Sequence, residues 1–146
     1  MINPENVQKF KSYGFVLTPV IKSKNPNEDK KPVSKNGTWH KDWNDQELLD
    51  ASRIGAYHRD SKIFDVDFDD KEYNAHKFMD LLPPTFTIGK KVNGRAVATH
   101  LIYRTKEKVK DYKKAQPLVE LLANTQTIIA GVDRIIINDQ EPIYYS

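Results

Sequence analysis

The stretch Ser61-Lys62-Ile63-Phe64-Asp65-Val66-Asp67-Phe68-Asp69-Asp70 narrows the possible folds further than any other part of the chain. From Ile63 to Phe68 it is an apolar run interrupted by carboxylates and too short for a helix, which predicts a strand ending in an acidic turn. Side chains two apart on a strand project the same way, so Asp65 and Asp67 share a face, with Ile63, Val66 and Phe68 expected to pack elsewhere. Two carboxylates converging in this way suit a hard cation, magnesium or manganese, which takes oxygen ligands and leaves coordination positions for substrate phosphates. The same letters also describe a solvated acidic turn in which Asp69 or Asp70 caps the next helix. Asp69 continues the alternation and could stand in for Asp67, so the choice turns on what lies downstream.

The chain has 146 residues, enough for one domain with its own core. Hydrophobic residues make up 38% and charged residues 29%, as expected of a soluble globular protein. No apolar run is long enough to span a bilayer, and Met1-Ile2-Asn3-Pro4-Glu5 has no basic segment leading into an apolar one, so a cytoplasmic location is expected. Cysteine is absent, which excludes a disulfide framework, a thiolate zinc site and a cysteine nucleophile. The net charge of +3 says little by itself. Its distribution says more, because basic residues crowd Lys22 to Lys41 and Lys106 to Lys114 while acids gather around Asp65 to Glu72.

Taken in order, Val7 to Tyr13 has a helical pattern ended by Gly14, and Phe15 to Ile21 reads as a strand whose Pro19 points to an edge position or an irregularity. Lys22 to Lys41 is a polar loop without apolar period. Asn44 and Glu47 form a capping-box pattern for a helix running through Arg53, with Trp39 and Trp43 as core anchors beside its start. Ile54-Gly55-Ala56-Tyr57 is a short strand, joined through a hairpin turn at His58-Arg59-Asp60 to the acidic strand. A second helix is expected from about Asp70 to Leu81, closed by Pro83-Pro84. Thr85 to Ile88 and Ala98 to Tyr103 make a hairpin around the basic turn Gly89 to Arg95, which contains Asn-Gly. Leu118 to Leu122 and Thr127 to Ala130 read as another hairpin, and Ile135 to Ile137 with Ile143 to Tyr145 as a last pair. His40, His58 and His76 have no metal-ligand spacing and are assigned to surface or packing.

Three features stand in sequence: Asp65-Val66-Asp67, Ala98-Thr99-His100, and Val119-Glu120. In this order they resemble the motifs of the archaeo-eukaryotic primase superfamily, namely Asp-hydrophobic-Asp, small-x-His and hydrophobic-acid. The chain is similar to the phage and plasmid primase-polymerase domains of that superfamily from about Gly14 onward. Lys31-Pro32, Ile54-Gly55, Leu82-Pro83-Pro84-Thr85, Gly89-Lys90, His100-Leu101-Ile102-Tyr103 and Gln126-Thr127 stand where those members carry similar words. His58-Arg59 replaces a glycine often found before the first acidic motif, and no zinc-binding stem is present. The resemblance implies an α+β domain with a mixed or antiparallel sheet of the RNA-recognition type and packing helices. The chain is then a single catalytic domain of a longer viral or mobile-element replication protein, working in the host cytoplasm.

The expected function is template-directed nucleotidyl transfer by a DNA primase or primase-polymerase. Asp65, Asp67 and Glu120 would hold two magnesium or manganese ions that clamp the attacking 3′-hydroxyl and the leaving pyrophosphate. The dications would compensate the mutual repulsion of the carboxylates. The resemblance gives His100 a hydrogen bond to the incoming nucleoside triphosphate, with Thr99 beside it. Lys31, Lys90 and Arg95 are candidates for phosphate contacts, and Lys91 and Arg59 for contacts to nucleic acid. The partners expected are a single-stranded DNA template with its primer, ribo- or deoxynucleoside triphosphates, and a fused or separate helicase. The same acids also suit a metal-dependent nuclease or phosphodiesterase, and the fold a non-catalytic nucleic-acid-binding module.

Overall fold

In a computed structural model, the described residues are 2–20, 34–35, 38–39, 42–68, 79–111 and 119–145. Helix α1 spans Pro4–Ser12 and starts before the predicted Val7, because Asn3 accepts a hydrogen bond from the Glu5 amide and Pro4 occupies the first turn. Gly14, at φ 83°, turns the chain away. Strand β1 (Leu17–Val20) carries Pro19 and lies at a sheet edge, as expected of a residue that cannot donate to a ladder. Within the stretch read as an irregular loop, β2 (Ser34–Lys35) pairs with β3 (Thr38–Trp39).

Helix α2 (Asp45–Leu49) has the predicted capping box, with Glu47 N to Asn44 Oδ1 at 2.9 Å and Asn44 N to Glu47 Oε1 at 3.2 Å. It ends well before Arg53, which instead opens strand β4 (Arg53–Tyr57), buried along its whole length and paired on both sides. Trp43 packs half-buried against the core beside α2. The expected turn at His58-Arg59-Asp60 is the short helix α3 (His58–Ser61), closed by Lys62 in the left-handed conformation at φ 55°. It does not join a hairpin, because β4 and the acidic strand β5 (Ile63–Phe68) belong to different sheets. Most of the helix expected from Asp70 to Leu81 lies outside the described residues, as does Asp69.

Strands β6 (Phe86–Val92) and β7 (Arg95–Arg104) form the predicted hairpin, but the turn shrinks to Asn93-Gly94 and the basic residues on either side join the ladder. Both turn residues have positive φ, 50° and 78°, the combination that lets two residues connect twisted strands. The register slips between Ile88 and Gly89. A Cβ at Gly89 would lie 1.9 Å from the Val97 carbonyl oxygen, so only glycine allows the strands to approach there.

Strands β8 (Val119–Leu122) and β9 (Gln126–Gly131) are not a hairpin either: β8 pairs with β5, and β9 crosses to pair with β4. Strand β10 (Ile135–Asn138) pairs with β6, and Ile143 to Tyr145 makes only an isolated bridge, Tyr144 to Arg104.

These pairings build an antiparallel three-stranded sheet, β1-β4-β9, and an antiparallel five-stranded sheet, β10-β6-β7-β5-β8, giving an α+β fold with few helices. One cluster joins the two sheets and α1: Ile63, Phe86 and Ile102 from the larger sheet meet Ile54, Ile129 and Phe10. The opposite face of the larger sheet carries Phe64, Phe68, Leu101 and Tyr103 in a second cluster. Ile63 thus packs on the same face as Asp65, not on the other as expected, because side chains two apart share a face. Among the described residues no helix is long and apolar enough to cross a membrane.

Candidate active site

Strand β5 runs between β7 and β8, and its register sets the site. Asp67 lies opposite His100 on β7 and opposite Glu120 on β8, so the three side chains form a row across one face. Asp65, two residues back, shares that face and lies opposite Ile102 and Leu122. The row stands at the polar end of the face that, around Ile63, Ile102 and Phe86, packs into the inter-sheet core. Asp65 is fully buried, whereas the side chains of Asp67 and His100 keep 19% and 14% of their exposure and Glu120 is half-buried. Solvent and small ligands therefore reach the row from the Asp67 side.

A directional chain of hydrogen bonds ends on Asp65. The Thr125 amide donates to His58 Nδ1 at 3.2 Å, so His58 carries its proton on Nε2 and gives it to Thr127 Oγ1 at 2.6 Å. The Thr127 hydroxyl in turn donates to Asp65 Oδ2 at 2.7 Å, and His100 Nδ1 donates to the same oxygen at 2.8 Å. His100 Nδ1 is also 3.6 Å from Asp67 Oδ1. Asp65 Oδ1 is buried without a hydrogen-bond partner among the described residues. An unpaired buried polar atom costs about 1–3 kcal/mol, which a ligand or ion at that oxygen would recover.

The two histidines are tuned in opposite directions. Burial holds the His58 imidazole below its ordinary pKa, and a proton on Nδ1 would also face the Thr125 amide. Burial acts the same way on His100. There the Asp65 charge, the hydrogen bond to it and the Asp67 charge outweigh burial and raise the pKa. His58 is thus biased toward the neutral form and His100 toward the protonated one, and His100 Nε2 makes no hydrogen bond to a described residue.

The donor set fits a hard dication in its chemistry: carboxylate oxygens, one of them buried and unpaired, and two like charges facing each other across a ladder. Among the described residues no three His, Asp or Glu side chains converge closely enough to enclose an ion as they stand. The other expected residues are dispersed. Thr99 is buried next to His100, where the β6–β7 register slips. Lys90, Lys91 and Arg95 are exposed along the hairpin arm, and at ~3.3 Å per residue Arg95 lies about 17 Å from His100 along β7. Arg59 is on α3, its Nε and Nη2 donating to Asn124 Oδ1 at 2.9 and 2.7 Å. Lys31 lies outside the described residues.

The residues that sequence reasoning passed over are His58 and Thr127. Thr127 stands in the Gln-Thr pair already matched to family words, and that pair is the signal that could have marked it. His58 follows a fully buried strand, which favours a packed rather than a solvated imidazole. No protein-family model matches the chain, and no curated protein is significantly similar to it.

Proposed function

We propose that this domain is a template-dependent nucleotidyltransferase of the primase-polymerase type, joining nucleoside triphosphates to a 3′-hydroxyl on single-stranded DNA. The observation that carries the reading is the row His100-Asp67-Glu120 across three adjacent strands, backed by Asp65. The order of the three sequence motifs supports it from the side of the chain.

Asp67 and Glu120, with Asp65 behind them, are the oxygen donors that would hold two magnesium or manganese ions. Bound there, the cations supply compensating charge and polarise the phosphoryl group. Asp65 fixes the His100 ring through Nδ1, which leaves Nε2 as the nitrogen that would donate to a triphosphate oxygen, and the neighbouring carboxylates favour the protonated ring that does so. Thr127 and neutral His58 hold Asp65 in turn, so the imidazole is oriented without reorganisation when substrate binds. The partners of this reading are a primed single-stranded template, nucleoside triphosphates and a fused or separate helicase.

The test is a labelled primer on a single-stranded template, incubated with magnesium or manganese with and without nucleoside triphosphates. Triphosphate-dependent lengthening is expected. Shortening that needs no triphosphate would replace the proposal with a nuclease, and binding with neither outcome would leave a nucleic-acid-binding module.

A further inference from the structure

A cleft of about 220 Å³ opens between α3 and the segment 105–109, at the other end of β5 from Asp67. Ile63, Val109 and Ala123 form an apolar floor, and Arg59, Lys62, Lys106 and Lys108 stand around it with Glu107 as the acidic exception. All four cations are exposed, and none makes an ion pair with a described residue. Arg59 is aimed by its two bonds to Asn124, which is itself held through Nδ2 by Asp111 at 2.9 Å. The facing walls are tied by the Thr105 amide donating to the Lys62 carbonyl at 2.9 Å.

Lys62 is the residue that needs explaining. It closes α3 in the left-handed conformation, a position where glycine is favoured and a side chain is strained. A lysine at this position puts a cation on the rim of the cleft at the cost of that strain. Beside the rim, Tyr144 is 61% exposed, with Lys106 Nζ 5.1 Å from its ring centroid. Exposed aromatic faces next to cations are the elements that hold unpaired bases and their phosphates.

We propose that this cleft takes one nucleotide of a single-stranded DNA chain, the base on the apolar floor and its phosphates on Lys62, Arg59 and Lys108, with a neighbouring base stacked on Tyr144. Only the identification of that chain as the template rests on the proposed function. A strand, rather than a free nucleotide, matches a ring of cations that continues past the cleft to an aromatic platform.

Fluorescence anisotropy with labelled oligothymidylate at increasing salt tests this. Replacing Lys62 by glycine removes the strain and the cation together, so K62G should melt no lower than wild type yet bind more weakly, its log–log salt slope shallower by ~0.7. Tyr144→Ala should weaken binding with the slope unchanged, since stacking releases no counterions. Lys11→Ala, on α1, should behave as wild type. An unchanged slope in K62G, an equal change in Lys11→Ala, or complete displacement by thymidine 5′-monophosphate would each overturn the proposal. Asp67→Ala should bind oligothymidylate normally, so loss of primer extension and loss of this site are separate results.

Discussion

The inner face of β5 behaves as two regions. At one end Ile63 is sealed among Phe86, Ile102, Ile54 and Ile129; two residues on, Asp65 is equally buried but held by Thr127 and His100. The apolar end gains from every atom removed from water. The acidic end buries a carboxylate with one oxygen accepting two hydrogen bonds and the other accepting none from a described residue, an arrangement that costs stability. Same-face neighbours on one strand thus differ in kind: Ile63 is accounted for by the core, whereas the setting of Asp65 is what the proposed function would use.

The largest effect on stability belongs to the apolar end. Ile54→Ala, which opens a hole beside Ile63 in that core, should cost about 2–5 kcal/mol in denaturant unfolding and leave extension per folded molecule unchanged. At the acidic end, Thr127→Val should cost about 1–3 kcal/mol, because it strips a hydrogen bond from both His58 and Asp65, and it should lower extension further than its stability alone accounts for. Equal losses of activity in the two variants, scaled to their stabilities, would erase the distinction between the regions.

The histidines sharpen it through pH. His58 has a depressed folded pKa, so its contribution is complete above the unfolded value of about 6.5 and is lost as pH falls through the folded one. His100 has a raised folded pKa, so its contribution is complete below about 6.5 and is lost as pH rises through the folded value. Unfolding free energies measured across this range should decline on both sides, and His100→Gln should flatten the alkaline side only. The smallest effect is expected on the hairpin arm. Lys90→Ala with Lys91→Ala should change stability by no more than about 0.5 kcal/mol, since both side chains are exposed.

Much of the local structure was legible from residue pattern. The strand Ile63–Phe68, the Asn44–Glu47 capping box and the Asn-Gly turn are local signals, and all three appear, although the turn read over Gly89 to Arg95 narrows to Asn93-Gly94 and Ile63 takes the face of Asp65. What escaped is non-local. His58-Arg59-Asp60 and Ala123-Asn124-Thr125-Gln126 look like hairpin turns because neighbouring strands usually pair, yet both lie where the chain passes from one sheet to the other, and Gln126 already belongs to β9. The row His100-Asp67-Glu120 was anticipated from motif order, whereas the Thr127 and His58 supports became visible only once β9 lay against β4, which brings Thr127 under Asp65.

Primer extension by Asp67→Ala is the most direct measurement of the central claim, because this side chain is partly exposed and stands between His100 and Glu120 without anchoring the core. The variant should melt within a few degrees of wild type, retain oligothymidylate binding and incorporate no nucleotide with magnesium or manganese. Incorporation at the wild-type rate would contradict the assignment of the row as the catalytic centre.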